Sequence, residues 1–156
     1  MHFPIIKLED PNTDKSDWET GLDYEDSVLV ENTDYFGEMY SPEDRKAVIK
    51  SEWMKDLFDG IATINTEKET ITFHDLKTIK ATIKKYFDEE ALRLSSLAEK
   101  GELSGFELRC AGKNWRDYWV LFVTNYGMTS MQLIENAAPF YARATFNIGN
   151  IFDAHF

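Results

Sequence analysis

Apolar residues recur at Leu76, Ile79, Ile83, Phe87, Ala91, Leu94 and Ala98, in steps of three and four. That spacing puts them on one face of a helix, and Tyr86 and Leu97 widen the stripe. Lys77, Lys80, Lys84, Lys85, Asp88, Glu89 and Arg93 fall between them and face water. The pattern predicts one long helix over residues 75–100. Thr72 or Asp75 can cap its start, and Gly101 can take the left-handed conformation that ends it. At 1.5 Å per residue it is about 39 Å long, enough to cross a whole sheet.

The other elements are placed around this helix. Ser41-Pro42-Glu43-Asp44 marks a helix start, with Ser41 as cap, Pro42 at the first position and two acids at the positive dipole end. Ile49, Trp53 and Leu57, flanked by Met54 and Phe58, extend it to about Asp59, before Gly60. Residues 61–64 and 70–73 are short and β-branched, with a turn between them, and predict a hairpin. Phe106, Leu108 and Cys110 alternate with Glu107 and Arg109, the pattern of a half-buried strand. A turn at 111–114 leads to a strand over 115–124. There Tyr118 to Val123 is apolar on both faces, as in a central strand. Such a strand needs cover on both sides, from the first helix or the N-terminal segment as well as the long helix. Thr129 or Ser130 can cap a short helix that stops near Pro139. Phe140, Ala142, Ala144, Phe146 and Ile148 then alternate with polar neighbours and predict a strand that Gly149-Asn150 ends. The apolar residues 151–156 should pack back. Upstream of Ser41 the chain reads as irregular, with a short edge strand at 3–6 and another strand at 27–30.

These elements give an α+β fold. An antiparallel sheet of about five strands is covered by one long central helix plus a second helix and an acidic N-terminal arm. The 156 residues suit a single domain, with residues 1–40 as an arm packed on a core of residues 41–156.

Charge changes this picture. The formal net charge is −11, and residues 1–44 hold 13 acids against only Lys7 and Lys15. The entire net charge therefore sits in the first quarter of the chain, and the remainder is balanced. Such a field disfavours nucleic acid and anionic membrane as direct partners and favours a basic protein surface. No apolar run is long enough to span a membrane, and the N-terminus lacks the layout of a signal peptide. The lone Cys110 cannot form an internal disulfide and fits a cytoplasmic setting.

Each candidate for chemistry has a plainer reading beside it. Asp10, Asn12, Asp14 and Ser16 alternate as in the first half of a calcium loop. Lys15 stands where that loop needs glycine and Gly21 where it needs glutamate, so an acidic turn with capping side chains fits better. His74 beside Asp75 could be an oriented base, but neighbouring residues seldom present that geometry, and helix capping is simpler. His2, His74, His155 and Cys110 have no zinc spacing. Cys110 reads as a buried inert thiol. Asp88, Glu89 and Glu90 point about 100° apart and cannot converge on one ion. Glu90 could enter a pocket as an acid, or pair with Lys84, Lys85 or Arg93 at helical spacing. Lys77, Lys80 and Lys84 could line a phosphate site but lack a glycine-rich loop, and a solvated face suffices. Trp115, Arg116, Tyr118 and Trp119 suit either a binding surface or a core.

No catalytic residues, metal site or cofactor emerge, so a non-enzymatic role is favoured. The expectation is an acidic binding protein that inhibits or neutralises a basic partner, such as a nuclease or another nucleic-acid-binding protein. Immunity proteins and phage anti-restriction or anti-CRISPR proteins are the type of role meant. The expected partner-binding residues are Asp14, Asp17, Trp18, Glu19, Asp23, Tyr24, Glu25, Asp26, Asp34, Tyr35, Phe36, Glu38 and Tyr40, with carboxylates steering association and rings supplying affinity. The alternative is a ligand-binding or enzymatic domain with a pocket between the long helix and the sheet, using Glu90, His74 and Tyr118.

Overall fold

The structure is a computed structural model, and it describes residues 2–18, 35–110, 121–124, 127–130 and 134–155. Strand β1 (His2–Glu9) is followed by a 3-10 turn (Lys15–Asp17), strand β2 (Tyr35–Met39), helices α1 (Pro42–Lys50) and α2 (Glu52–Phe58), and the hairpin β3 (Ala62–Asn65) and β4 (Thr70–Phe73). Then come α3 (Leu76–Glu99), α4 (Gly105–Cys110), β5 (Leu121–Thr124), β6 (Gly127–Ser130), α5 (Ile134–Tyr141) and β7 (Thr145–His155). Among the described residues, the strands form one seven-stranded sheet in the order β3-β4-β7-β1-β5-β6, with β2 also on β7. The class is α+β as expected. The sheet is larger than the five strands expected, and it is mixed, because β1 and β5 run parallel.

The long helix keeps the limits its pattern predicts. Asp75 caps it by accepting from the Thr78 N–H at 3.1 Å, and Gly101 follows at φ +71°. Ile79 and Ile83 are buried, whereas Phe87 is 49% exposed and Leu92 72% exposed. Among the described residues, the N-terminal half of α3 therefore reaches the core, with Leu76 and Tyr86 packed beside Ile79 and Ile83. The first helix is broken in two. Ser51 ends α1 and accepts from Met54 N–H as the cap of α2. Ile49, Met54, Leu57 and Phe58 join Ile79, Ile83, Ala138 and Tyr141 on one side of the sheet, against Ile6, Leu8, Ile71, Phe73, Phe146, Ile148 and Ile151. The first helix thus shares a face with the long helix and does not cover the opposite one. The hairpin forms as predicted, with Ala62 to Asn65 paired to Phe73 to Thr70.

Several expectations are overturned by period. Residues 105–110 are helical, and Phe106 and Leu108 are exposed, not the buried side of a strand. Of the strand expected over 115–124, residues 121–124 do form β5, while residues 115–120, the turn at 111–114 and the strand expected at 27–30 lie outside the described residues. Thr129 and Ser130 belong to strand β6 and not to the start of a helix. Helix α5 runs through Pro139 to Tyr141, so Tyr141 is buried while Phe140 is 71% exposed, the reverse of strand alternation. Pro139 brings no N–H to the ladder, so the helix runs on with one such bond forgone. Arg143, at φ +65°, turns the chain into β7.

The acidic arm is not an appendage. Strand β1 lies inside the sheet between β7 and β5, with Ile5, Ile6 and Leu8 buried, and is not an edge strand. Strand β2 pairs β7 as well. Gly149-Asn150 does not end β7 but forms a bulge. Ile6 pairs Ile151 and Leu8 pairs Ile148, so two residues of β7 oppose Lys7 alone. A Cβ on Gly149 would sit 2.6 Å from Glu9 Cγ, which explains the glycine there.

Candidate functional site

One edge of β7 carries two strands end to end. Strand β4 pairs residues 145–147 and β2 pairs residues 152–155, leaving the bulge between them without a strand partner. Arg45 of α1 fills that gap. Its Nε donates to Gly149 O at 2.6 Å, and its Nη2 donates to Ile148 O. Its Nη1 donates to Glu69 Oε2 at 2.8 Å. Glu69 closes the β3–β4 turn at φ +54°, and its carbonyl accepts from Ile148 N–H. Lys15 Nζ also reaches Glu69 Oε2, at 3.1 Å. The Glu69 carboxyl loses hydration on burial, which pushes its pKa up, yet hydrogen bonds from Arg45 and Lys15 outweigh this and hold it below the ordinary value.

Trp18 closes the cluster. Its ring lies 5.3 Å from the Arg45 guanidinium carbon and 5.3 Å from Lys15 Nζ. At 8% exposure this ring serves the fold and does not present the free anchor expected of it. Asp14 and Asp17 beside it are exposed. Asp10 Oδ1 accepts from both Asn12 N–H groups, a capped turn of the kind the alternating oxygens suggested. Across the bulge, Lys7 and Glu9 are buried and 3.9 Å apart. Burial lowers the Lys7 pKa and raises that of Glu9, and each charge opposes the shift of the other.

The chain leaves β2 at Tyr40, whose N–H donates to Ile151 O at 2.9 Å. There an open groove of ≈ 860 Å³ is lined by Met39, Tyr40, Ser41, Asp44, Ala47, Val48 and Asp153. Ser41 orients Asp44: its Oγ donates to Asp44 Oδ2 at 2.7 Å and accepts from Asp44 N–H at 3.1 Å. The Tyr40 phenol is pushed up by burial, then by the charges of Asp153 and Asp44, which marks a negative potential inside the groove. Met39, Ala47 and Val48 supply an apolar wall. Such a groove suits a long aliphatic side chain with a cationic tip, because the stem can lie on the wall while the head meets the carboxylates.

Of the residues expected to bind a partner, Tyr40 alone is found in this groove with its side chain described. Tyr35, Phe36 and Glu38 lie on β2, but only their backbone is described. Glu19, Asp23, Tyr24, Glu25, Asp26 and Asp34 lie outside the described residues. Asp44 had been read as a helix-start acid, which it also is. Asp153 gave no local signal, since only the pairing of Met39 with Phe152 brings it near.

The remaining candidates take structural places. His74 Nε2 lies 3.0 Å from Thr63 Oγ1. Glu90 takes two hydrogen bonds from Arg93, which also reaches Glu107 and so ties α4 to α3. Lys84 and Lys85 pair with Asp88 and Glu89. The side chains of Cys110 and Tyr118 lie outside the described residues. Among the described residues, no three histidine, cysteine, aspartate or glutamate side chains are grouped to hold a metal, and no helix is long and apolar enough to cross a membrane. No protein-family model matches the chain, and comparison with curated proteins and with solved structures returned no match.

Proposed function

We propose that the protein is a non-enzymatic, cytoplasmic acidic binding protein, built as one domain, that docks on a basic protein surface and blocks it. A nuclease or other nucleic-acid-binding protein is the kind of partner meant, as for immunity proteins and phage anti-restriction or anti-CRISPR proteins. The observation that carries this reading is the groove at Tyr40, where Asp44 and Asp153 flank an apolar wall. It supplies what a lysine or arginine side chain of the partner needs. The net charge of −11 supports it by steering basic surfaces toward the molecule.

Binding of a fluorescent arginine- and lysine-rich peptide, followed by anisotropy at rising salt, tests the reading. The native chain should bind with an affinity that falls steeply with salt, and Asp44→Asn with Asp153→Asn should weaken it about tenfold, the equivalent of about 1.4 kcal/mol. Equal affinity for both proteins would remove the groove from the account. Deletion of residues 1–40 is no test, because it removes two strands of the sheet.

A further inference from the structure

The groove at Tyr40 receives its two carboxylates from different elements. Strand β2 is bulged beside it: Phe36 pairs Ala154 and Met39 pairs Phe152, so Gly37 and Glu38 oppose Asp153 alone. Asp153 lines the groove from that bulge, and Asp44 lines it from the first turn of α1. Both charges act on the Tyr40 phenol, so they converge on one place. Ser41 restricts one of the two, because its Oγ both donates to Asp44 Oδ2 and accepts from Asp44 N–H. A carboxylate accepts about four hydrogen bonds, so Asp44 keeps capacity for a ligand in that fixed setting. The opposite wall is apolar, formed by Met39, Ala47 and Val48. A cation seated here gives up water on the wall side and regains hydrogen bonds only on the carboxylate side. An ammonium is a compact, strongly hydrated charge and loses most by this. A guanidinium is planar and weakly hydrated, and its donors lie along its edge. The fold already seats one guanidinium in that manner: Arg45 meets Glu69 and a carbonyl with its N–H groups while the Trp18 ring packs on it.

We infer that the groove at Tyr40 is selective for arginine over lysine, taking a partner's guanidinium edge-on to Asp44 and Asp153 with its stem and one face against the apolar wall. The inference rests on the proposed docking role and adds to it the residue that the partner must present. Arginine is also the residue type whose planar fork grips phosphate in nucleic-acid-binding proteins. Its capture by this groove therefore competes directly with nucleic acid for the same side chain.

Fluorescent hexa-arginine and hexa-lysine peptides test it by anisotropy with the full chain. The two peptides carry the same charge, so the long-range field acts on both alike and their difference reports short-range contacts. At about 0.15 M salt hexa-arginine should bind about tenfold more tightly than hexa-lysine. Asp44→Asn with Asp153→Asn should bring the two affinities within about twofold of each other. Asp44→Asn alone, at an exposed position, should narrow the ratio to about threefold, so the test stands even if the double variant does not fold. Circular dichroism melts show which variants are folded. Equal binding of the two peptides by the native protein overturns the selectivity and leaves the groove as a general cation site. Binding of neither peptide removes the docking role itself. A preference for hexa-arginine that survives both variants arises elsewhere on the surface, and it too overturns the inference.

Discussion

Trp18 lies over the guanidinium of Arg45, with the ring centroid 5.3 Å from its carbon. The ring packs on the cation while Glu69 and two carbonyls accept its N–H bonds. Trp18→Ala should therefore cost about 3–5 kcal/mol, as large buried aromatics do. Trp18→Phe should cost less, since it keeps a ring over the cation. Urea unfolding of both variants measures the difference.

Arg45 has a greater share of the fold than its place on a surface helix suggests. Arg45→Met leaves Glu69 and the carbonyls of Ile148 and Gly149 without this donor, and should cost about 3–5 kcal/mol. Arg45→Lys keeps the charge but cannot span three acceptors, so it should recover only part of the loss. The same unfolding experiment separates the two, and equal midpoints for Arg45→Met and the native protein would contradict the bridging role.

Stability should depend on acid through Glu69. Its folded pKa lies below the ordinary value, so its stabilising contribution is present above the ordinary glutamate range. That contribution is lost as pH falls through the lowered folded value. The stability difference between the native protein and Glu69→Gln should therefore shrink as pH drops below that range. Glu9 has the opposite sign. Burial raises its pKa, so its protonation favours the fold as pH falls and partly masks the effect of Glu69. Chemical denaturation of the native, Glu69→Gln and Glu9→Gln proteins across this acidic range resolves the two slopes.

Gly60 links α2 to β3 at φ +71°, and an added Cβ would lie 2.5 Å from Thr82 Oγ1. Thr82 Oγ1 donates to Gly60 O at 3.0 Å, so the turn and α3 are in close contact. Gly60→Ala should lose about 1–2 kcal/mol from the left-handed backbone alone, and more from the collision. Thr82→Ala relieves the collision but loses the hydrogen bond. The double variant should therefore lose less than the sum of the single ones, which a double-mutant cycle detects.

What could be read from the residues follows from where the determining contacts lie. The long helix, its Asp75 cap, the hairpin and the Ser41 helix start depend on neighbours a few positions away, and their patterns held. Phe106 and Phe140 misled because a short alternating run fits one turn of helix as well as a strand. Gly149-Asn150 misled because a bulge and a strand end use the same residues. The place of β1 at the sheet centre depends on partners at the far end of the chain, and nothing within residues 2–9 announces it. Tyr40 was legible as an aromatic among acids. Its companion Asp153 was not, for the same long-range reason. Arg45 was hidden because a single arginine on a polar helix face resembles any solvated cation.

The pairing of Ile5 with Phe152 joins the two extremes of the sequence at the middle of the sheet. The hairpin and α3 can organise from nearby contacts, but the strands they rest on must be gathered from opposite ends of the chain. Closing so large a loop has an entropic cost that comes before the burial rewarding it. Folding is therefore expected to be paced by the meeting of β1 with β7, and fluent local helix formation should do little to hasten it.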